Sequence, residues 1–510
     1  MKKTNERRTI KLWKNVLTIF ISLILFCTQI IILYLSYNLK EFSVIYIVLE
    51  IIAIITILII YRRVDESSAY KLTWTIIILS LPVFGIVLYL LVKNYQTLPK
   101  AKIYKIKKEL YEKIEDNHKE QNFSDLEVAK ILSFIKKDTN FDVYDNSNSY
   151  FYNDGKTLFE SMFFDIKNAK KYVFLEYFIV GSGKLLDELL DILVLKASEG
   201  VEIKILYDDV GSVKVFKRKY KKQIENIKNI ELVSFAPLGK NMNPIINYRD
   251  HRKITLIDGE IGYVGGANLA DEYVHYITRF GYWRDNGIKI VGEACNNLLR
   301  LFSETWYLST GVSLNFEEYC CKTKLKCQNN FIVPFGDGPM DNKSTFYDLF
   351  FSLFSIAKKS IYISTPYFII DDMMIKSLVV ACKMGVDVKI LIPGIADKKM
   401  TYNLTMAHLG EILKAGGKVF KYNKGFNHAK NIIIDERYAF GGTVNIDYRS
   451  LFLHYECGIL LIDDKSVLQM KSDFENELND AEMINYSKWK KRNIFSRFIA
   501  FIFRVFSPLF

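Results

Sequence analysis

Histidine is scarce in this chain, with six in 510 residues. The seven cysteines, at 27, 295, 320, 321, 327, 382 and 457, are odd in number and scattered. No pair of them has the spacing of a zinc knuckle, so we read them as mostly reduced thiols of a cytosol-facing protein. Cys321 and Cys327, beside basic residues, offer a redox pair, against the plainer reading of surface linker thiols. Acidic residues are outnumbered, 57 against 69 Lys and Arg, which leaves a formal charge of +12. That imbalance favours an anionic partner, either nucleic acid or an anionic lipid surface. Apolar residues are not lacking: at 50% they exclude a disordered chain. The length allows two or three domains.

Charge is missing altogether from residues 15–39 and 72–92, and 42–61 carries only Glu50. Each stretch is long enough to cross about 30 Å of hydrocarbon as a helix. The first is too long for a signal-peptide core and no small-residue cleavage site follows it. Glu50 is costly in lipid and is expected to face another helix rather than to carry protons. Pro82 and Gly85 are expected to kink the third stretch. Basic residues flank the first stretch on its N-terminal side (Lys2, Lys3, Arg7, Arg8, Lys11, Lys14), separate the second from the third (Arg62, Arg63, Lys71) and follow the third (Lys93, Lys100, Lys102, Lys105, Lys107, Lys108). Positive-inside logic places all three clusters in the cytosol, which three full spans cannot do. Either one stretch is re-entrant or one flank breaks the rule, and the large C-terminal part is expected to face the cytosol.

Beyond about residue 94 the pattern changes. Residues 96–140 read as a linker and a helix. A strand–helix–strand rhythm then occurs twice: Lys171–Ile179, Leu185–Glu199 and Val201–Tyr207, and again Ser360–Ile369, Asp372–Met384 and Val386–Ile392. Alternation of this kind implies two α/β halves with mixed sheets covered by helices, over 141–315 and 316–485. Residues 486–510 form a separate basic, aromatic segment, with six basic residues and no acidic ones from Lys488 onward. As a helix presenting Trp489, Ile494, Phe495, Phe498, Ile499, Phe501, Ile502 and Phe503 it reads as an interfacial anchor on anionic lipid, or else as a helix packed on the body.

Each half contains one copy of the same string. His251, Lys253, Asp258, Gly265 and Asn268 recur as His428, Lys430, Asp435, Gly442 and Asn445, with Lys at +2, Asp at +7, Gly at +14 and Asn at +17. A single His-x-Lys on a strand is ordinary surface decoration, and a Gly-Gly-x-Asn is a common turn. Duplication at five matched offsets, in a chain this poor in histidine, points to one active site built from two halves. Alternate strand residues share a face, so each His and its Lys point the same way. Two Lys supply positive charge and two Asn amides, on turns where glycine lets backbone approach, supply donors for a phosphate. Two imidazoles remain, one to attack phosphorus and one to protonate the leaving oxygen. This chemistry needs no metal and no cofactor.

The strings HRKITLID at 251–258 and HAKNIIID at 428–435 match the HxKxxxxD motif of the phospholipase D superfamily. Their surroundings, with WRD at 283–285, STPYFIIDD at 364–372 and the terminal SPLF, resemble bacterial cardiolipin synthases over roughly residues 40–510. That family usually shows two N-terminal spans, so the extra first stretch departs from its pattern. The resemblance implies two α/β/α halves whose motifs meet at their interface, and a phosphohistidine intermediate. It implies that phosphatidylglycerol is donor and acceptor, that glycerol leaves and that cardiolipin forms in a plasma membrane, without nucleotide. By the same analogy His251 is the nucleophile and His428 the acid/base; the residues alone do not order them. It further implies that Asp285 and Glu456 orient the histidines, while Asp258 and Asp435, though part of the catalytic motif, organise the site. Pro366 and Tyr367 are expected to line it at a strand end, and Glu176 and Tyr177 occupy the matching strand of the first half. Hydrolysis to phosphatidic acid, transfer to or from another lipid, and a nuclease use the same chemistry; the apolar stretches and basic tail argue against nucleic acid as substrate. A lipid-binding protein with a relict site is the non-catalytic reading, against which all four His and Lys residues stand.

Overall fold

The structure is a computed structural model, and it describes residues 24–63, 67–93, 125–212, 219–237, 248–340 and 343–509, apart from 25, 36, 324 and 327–329. The basic N-terminal flank, residues 94–124 and Cys327 lie outside the described residues.

The two strand–helix rhythms become two sheets of matching topology. In the first, the spatial order is Ser147–Tyr152, Gly287–Gly292, Ile261–Gly265, Lys253–Ile257, Tyr172–Tyr177, Glu202–Asp208 and Ile230–Phe235. In the second it is Phe331–Asp337, Glu456–Ile462, Tyr438–Gly442, Asn431–Ile434, Ser360–Ser364, Asp387–Pro393 and Lys418–Tyr422, with Ala481–Ile484 added at the edge. In each, the strand that follows the His runs antiparallel to the first strand of the rhythm, which in turn runs parallel to the next. These central strands are buried along their length, which is why they read as continuous apolar runs. The expected strand Ser360–Ile369 ends at Ser364 and resumes as the short Phe368–Ile369, which pairs with Ile446–Asp447. Pro366 interrupts it, having no N–H for a ladder.

One apolar core runs through both halves, joined by the helix Cys295–Thr310, twelve of whose sixteen residues are buried. The helix Leu126–Thr139 belongs to this core rather than to a linker. Its apolar stripe Val128, Ile131, Leu132 and Ile135 is buried, and at its N-terminus Asp125 and Glu127 pair with Arg437 and Lys358 of the second half.

Among the described residues, one helix, Ser43–Tyr61, is long and apolar enough to cross a membrane, with a mean hydropathy of 2.9 over 19 residues. The stretch 72–92 is not one kinked span. It forms two helices, Ser68–Ser80 and Pro82–Lys93, of 13 and 12 residues. At 1.5 Å per residue each is about 20 Å long, short of a bilayer core. The second folds back on the first: the Trp74 and Tyr89 rings lie 5.2 Å apart, where a straight helix would separate them by about 22 Å. A Cβ on Gly85 would stand 2.8 Å from the Ile77 carbonyl oxygen, so only glycine permits the approach. Chain reversal leaves the N–H of Val83 without a helical partner, and the fully buried Gln29 side chain accepts from it at 2.8 Å.

The C-terminal segment is two helices, Tyr486–Lys490 and Ile494–Val505, because Asn493 caps the second by accepting from the N–H groups of Phe495 and Ser496. Trp489 is not on the exposed face. It packs against Gly410 and donates to the Met406 carbonyl. Ile494, Phe495, Phe498, Phe501 and Ile502 are exposed, while Ala500 is buried. This helix meets the hairpin through Thr73, whose hydroxyl donates to the Val505 carbonyl at 2.5 Å.

Candidate active site

The two motifs meet at the seam between the halves, and backbone pairing across the seam brings them there. Gly425–Asn427, ahead of His428, pairs in parallel with Tyr282–Arg284, ahead of Asp285. Asp250, ahead of His251, bridges in parallel to Tyr455, ahead of Glu456. The His428 N–H donates to the Arg284 carbonyl at 2.8 Å, and the His251 N–H to the Tyr455 carbonyl at 2.9 Å.

The carboxylates are therefore exchanged. His251 Nδ1–H donates to Glu456 of the other half, 2.9 and 3.0 Å from its two oxygens, and His428 Nδ1–H donates to Asp285 at 2.6 Å. With Nδ1 held, each neutral ring carries its lone pair on Nε2. Burial, reinforced by Lys430 at His428 and by Lys253 at His251, depresses both imidazoles, to about 3 at His251 and about 4 at His428. Glu456 is held below the usual carboxylate range because the pairing with His251 outweighs the burial that would raise it. Both rings are therefore neutral near pH 7 before substrate arrives.

Lys253 and Lys430 are buried beside them and donate to the carbonyls of His251 and His428 respectively. Burial lowers Lys253 to about 8 and Lys430 to about 7, and Lys253 also acts on Lys430 and His428. The cationic groups of both motifs thus share one electrostatic centre. Asn268 accepts from the Ile179 N–H and donates to Tyr273 Oη at 2.7 Å, and Asn445 keeps a buried, unpartnered Oδ1.

Asp258 and Asp435 stand elsewhere. Seven residues beyond each His, at the far end of its strand, they sit at φ 54°. Asp258 accepts from the N–H groups of Lys170, Lys171 and Tyr172, and Asp435 from those of Lys358, Lys359 and Ser360, all at 2.7–2.9 Å. Each thereby fixes the start of the neighbouring strand through its backbone. Glu176, on the matching strand of the first half, is fully buried with Asp250 and Arg252, and burial raises it to about 7. Tyr177 bonds to Thr255 in the core, whereas Tyr367 bonds to Asp397 close to Asp447.

Several residues that shape the site are not apparent from the motifs. Thr443 donates its hydroxyl to Glu456, while its counterpart Gly266 leaves the space Asp285 occupies; a Cβ there would fall 2.2 Å from Asp285 Oδ1. The Phe178 ring stands 5.0 Å from that of His251, and Tyr273 5.5 Å from that of His428. His454, two residues before Glu456, brings a third imidazole to the seam. His251, His454 and Glu456 place donor atoms within 4.8 Å of one another, although Glu456 is already engaged with His251 and Thr443.

Residues 162–306 and 350–478 match the family model described as cardiolipin synthase, phospholipase D-like domain, and each segment contains one His-Lys motif. The chain belongs to that family. Residues 51–94, which include the helical hairpin, match the phospholipase D-nuclease N-terminal model. Relatives in the cardiolipin synthase family extend over most of the chain. Cardiolipin synthase 2 of Bacillus anthracis is 34% identical over 459 residues, 87% of this chain and 88% of its own length. The major cardiolipin synthase ClsA of Bacillus subtilis is 32% identical over 472 residues, 89% and 96%. The crystal structure of phosphatidylserine synthase from Haemophilus influenzae shares the fold, with a TM-score of 0.57 at 17% identity, covering 74% of this chain and 97% of that one.

Proposed function

We propose that this chain is a membrane-bound cardiolipin synthase. It transfers the phosphatidyl group of one phosphatidylglycerol to a hydroxyl of another and releases glycerol. The observation that carries this reading is the crossed pair of imidazoles, each held at Nδ1 by the other half's carboxylate, beside two buried lysines.

Nε2 of His251 attacks phosphorus in line with the glycerol oxygen. The N–P bond forms, the P–O bond breaks, and His428, protonated when the anionic headgroup enters, gives its proton to the leaving oxygen. Lys253, Lys430 and the Asn268 and Asn445 turns hold the negative charge that accumulates on the phosphoryl oxygens. His428, now neutral, takes the proton of the second phosphatidylglycerol's hydroxyl, that oxygen attacks phosphorus, and His251 is released. One phosphodiester replaces another, so the steps balance without nucleotide, cofactor or metal.

In this reading residues 15–39 and 42–61 cross the plasma membrane and 72–92 is a re-entrant hairpin. A hairpin puts Arg62, Arg63 and Lys71 on the same side as Lys93 and the basic residues after it, and two spans return the N-terminal basic flank to that side too. All three positive clusters then face the cytosol together with the catalytic body, which removes the conflict that three spans create. The C-terminal helix meets the hairpin at Val505, and its exposed Phe and Ile face enters the anionic lipid interface beside it.

The test is a product assay on detergent-solubilised protein given labelled phosphatidylglycerol without nucleotide or added metal. Cardiolipin and equimolar glycerol, lost in His251→Ala and in His428→Ala, are expected. Phosphatidic acid in their place would mean that water is the acceptor; near-full synthesis in either variant would overturn the two-histidine mechanism.

A further inference from the structure

The two-histidine reaction leaves His454 without a role. Its ring centroid is 5.6 Å from that of His251. Both of its ring nitrogens are buried and neither has a hydrogen-bond partner. Glu456 is the nearest carboxylate, but Oε1 lies 3.7 Å from His454 Nδ1, too far for a hydrogen bond. The oxygens of Glu456 are already taken by His251 and by the Thr443 hydroxyl. The backbone of His454 is nonetheless fixed, its N–H donating to the Arg449 carbonyl at 2.9 Å, next to the Tyr455 bridge that positions His251. An imidazole whose two buried nitrogens lack a hydrogen bond has room for a further partner.

The pseudo-symmetry sharpens this. Trp283 stands two residues before Asp285, as His454 stands two before Glu456, and its ring is also 5.6 Å from the histidine it faces, His428. Trp283 packs among Tyr273, Phe280 and Phe426, so that wall is aromatic. Trp283 keeps one buried, unpartnered indole N–H, a donor only, whereas at the same place in the other half the chain carries a ring that can donate or accept. The duplicated scaffold holds the position and its chemistry has diverged.

We propose that His454 is a substrate-binding residue whose ring N–H donates to a non-bridging oxygen of the phosphoryl group while that group is bonded to His251. The inference rests on the seam being a phosphoryl-transfer site. It assigns the group on the His251 side of the seam, since the leaving and accepting oxygens lie opposite, toward His428.

The experiment uses the full-length protein in detergent and inorganic tungstate, a tetrahedral oxyanion that mimics the phosphoryl group. Calorimetry measures its binding to the unsubstituted protein, to His454→Leu and to His454→Asn, whose amide restores a donor. Tungstate affinity is expected to fall about tenfold in the Leu variant and to recover to within about threefold in the Asn variant. The kcat for lipid transfer should follow the same order, with KM for phosphatidylglycerol nearly unchanged. Equal tungstate affinity in all three proteins would overturn the assignment while leaving the transfer reaction standing. Absence of tungstate binding to the unsubstituted protein would overturn both. Inhibition by micromolar zinc, relieved in His454→Asn with tungstate affinity unchanged, would instead make His251, His454 and Glu456 a metal trap and end the proposal.

Discussion

Glu456 holds His251 from the opposite half of the molecule, with both carboxylate oxygens within 3.0 Å of Nδ1, and Asp285 returns the arrangement to His428. Neither histidine is oriented by its own half. Replacing Glu456 by Gln keeps the shape and removes the charge that fixes the tautomer and stabilises the ring as it becomes cationic. We expect Glu456→Gln and Asp285→Asn each to lower kcat by about 100-fold or more, with little change in melting temperature. Rapid-quench measurement of phosphoenzyme should show Glu456→Gln slowing formation of the intermediate at His251. Wild-type rates in either variant would mean the pairing is structural only.

The depressed lysines set the alkaline limb of the pH profile. Lys430 and Lys253 lose their charge near 7 and 8 in the free protein, and raising the pH through that range removes the cations that receive the phosphate. We expect kcat/KM for phosphatidylglycerol to fall as pH rises from about 7 to about 9, the limb belonging to the coupled pair rather than to one lysine. A bound phosphate anion restores charge on both, so kcat should fall later than kcat/KM. A kcat/KM that is flat across this range would contradict the lysine clamp.

Gly266 makes room for Asp285. In Gly266→Ala the new methyl would have to displace the carboxylate that orients His428. The expected outcome is a loss of activity of at least about 100-fold for a stability loss of about 1–3 kcal/mol, read by turnover and by denaturant unfolding of the same preparation. Thr443, its counterpart, should tolerate Ser and not Val, because its hydroxyl is what Glu456 receives.

Asp258 and Asp435 should behave differently from the rest of their motif. Each accepts from three backbone N–H groups at a left-handed position that Asn also tolerates. Asp258→Asn and Asp435→Asn are expected to cost about 1–2 kcal/mol of stability and to leave kcat of the folded protein within about threefold. A kcat loss comparable to that of a histidine variant would show that the carboxylates reach the chemistry after all.

The hairpin predicts that the two ends of residues 68–93 share one side of the membrane. Single cysteines at Ser67 and Lys93, in a chain whose other exposed cysteines are replaced by serine, should both react with an impermeant thiol reagent from the cytosolic face and from no other. Labelling from opposite faces would restore a full span.

Much of this was legible in the sequence because it repeats. The two His-Lys strings announced a two-part site, and the apolar runs at 171–179 and 360–369 announced the central strands. The exchange of Asp285 and Glu456 was not legible, because offsets along the chain do not say which half a carboxylate faces; that depends on the pairing of Asp250 with Tyr455 across the seam. The basic flanks offer a re-entrant stretch as one solution, but they do not say which stretch it is. A span and a re-entrant pair have the same apolar composition, and only the packing of Gly85 against Ile77 distinguishes them. Trp489 looked like its aromatic neighbours, but the cap at Asn493 turned it away from them onto Gly410. His454 lies outside the repeated string, and its one signal is positional: it shares with Trp283 the place two before an orienting carboxylate.

The bond between Thr73 and Val505 joins residues 432 positions apart. Ala69 and Phe503 pack beside it on Ile369, Leu404 and Tyr448, next to the short strand that follows Asn445. The N-terminal hairpin and the C-terminal helix therefore grip the catalytic body at one place. In the proposed membrane arrangement a body tethered once could swing away from the bilayer, whereas one held by both would stay pressed to it, and its substrates would reach it by diffusing in two dimensions. For a reaction that must bring two lipids to one phosphorus in succession, that makes the surface density of phosphatidylglycerol, rather than its bulk amount, the quantity that sets the rate.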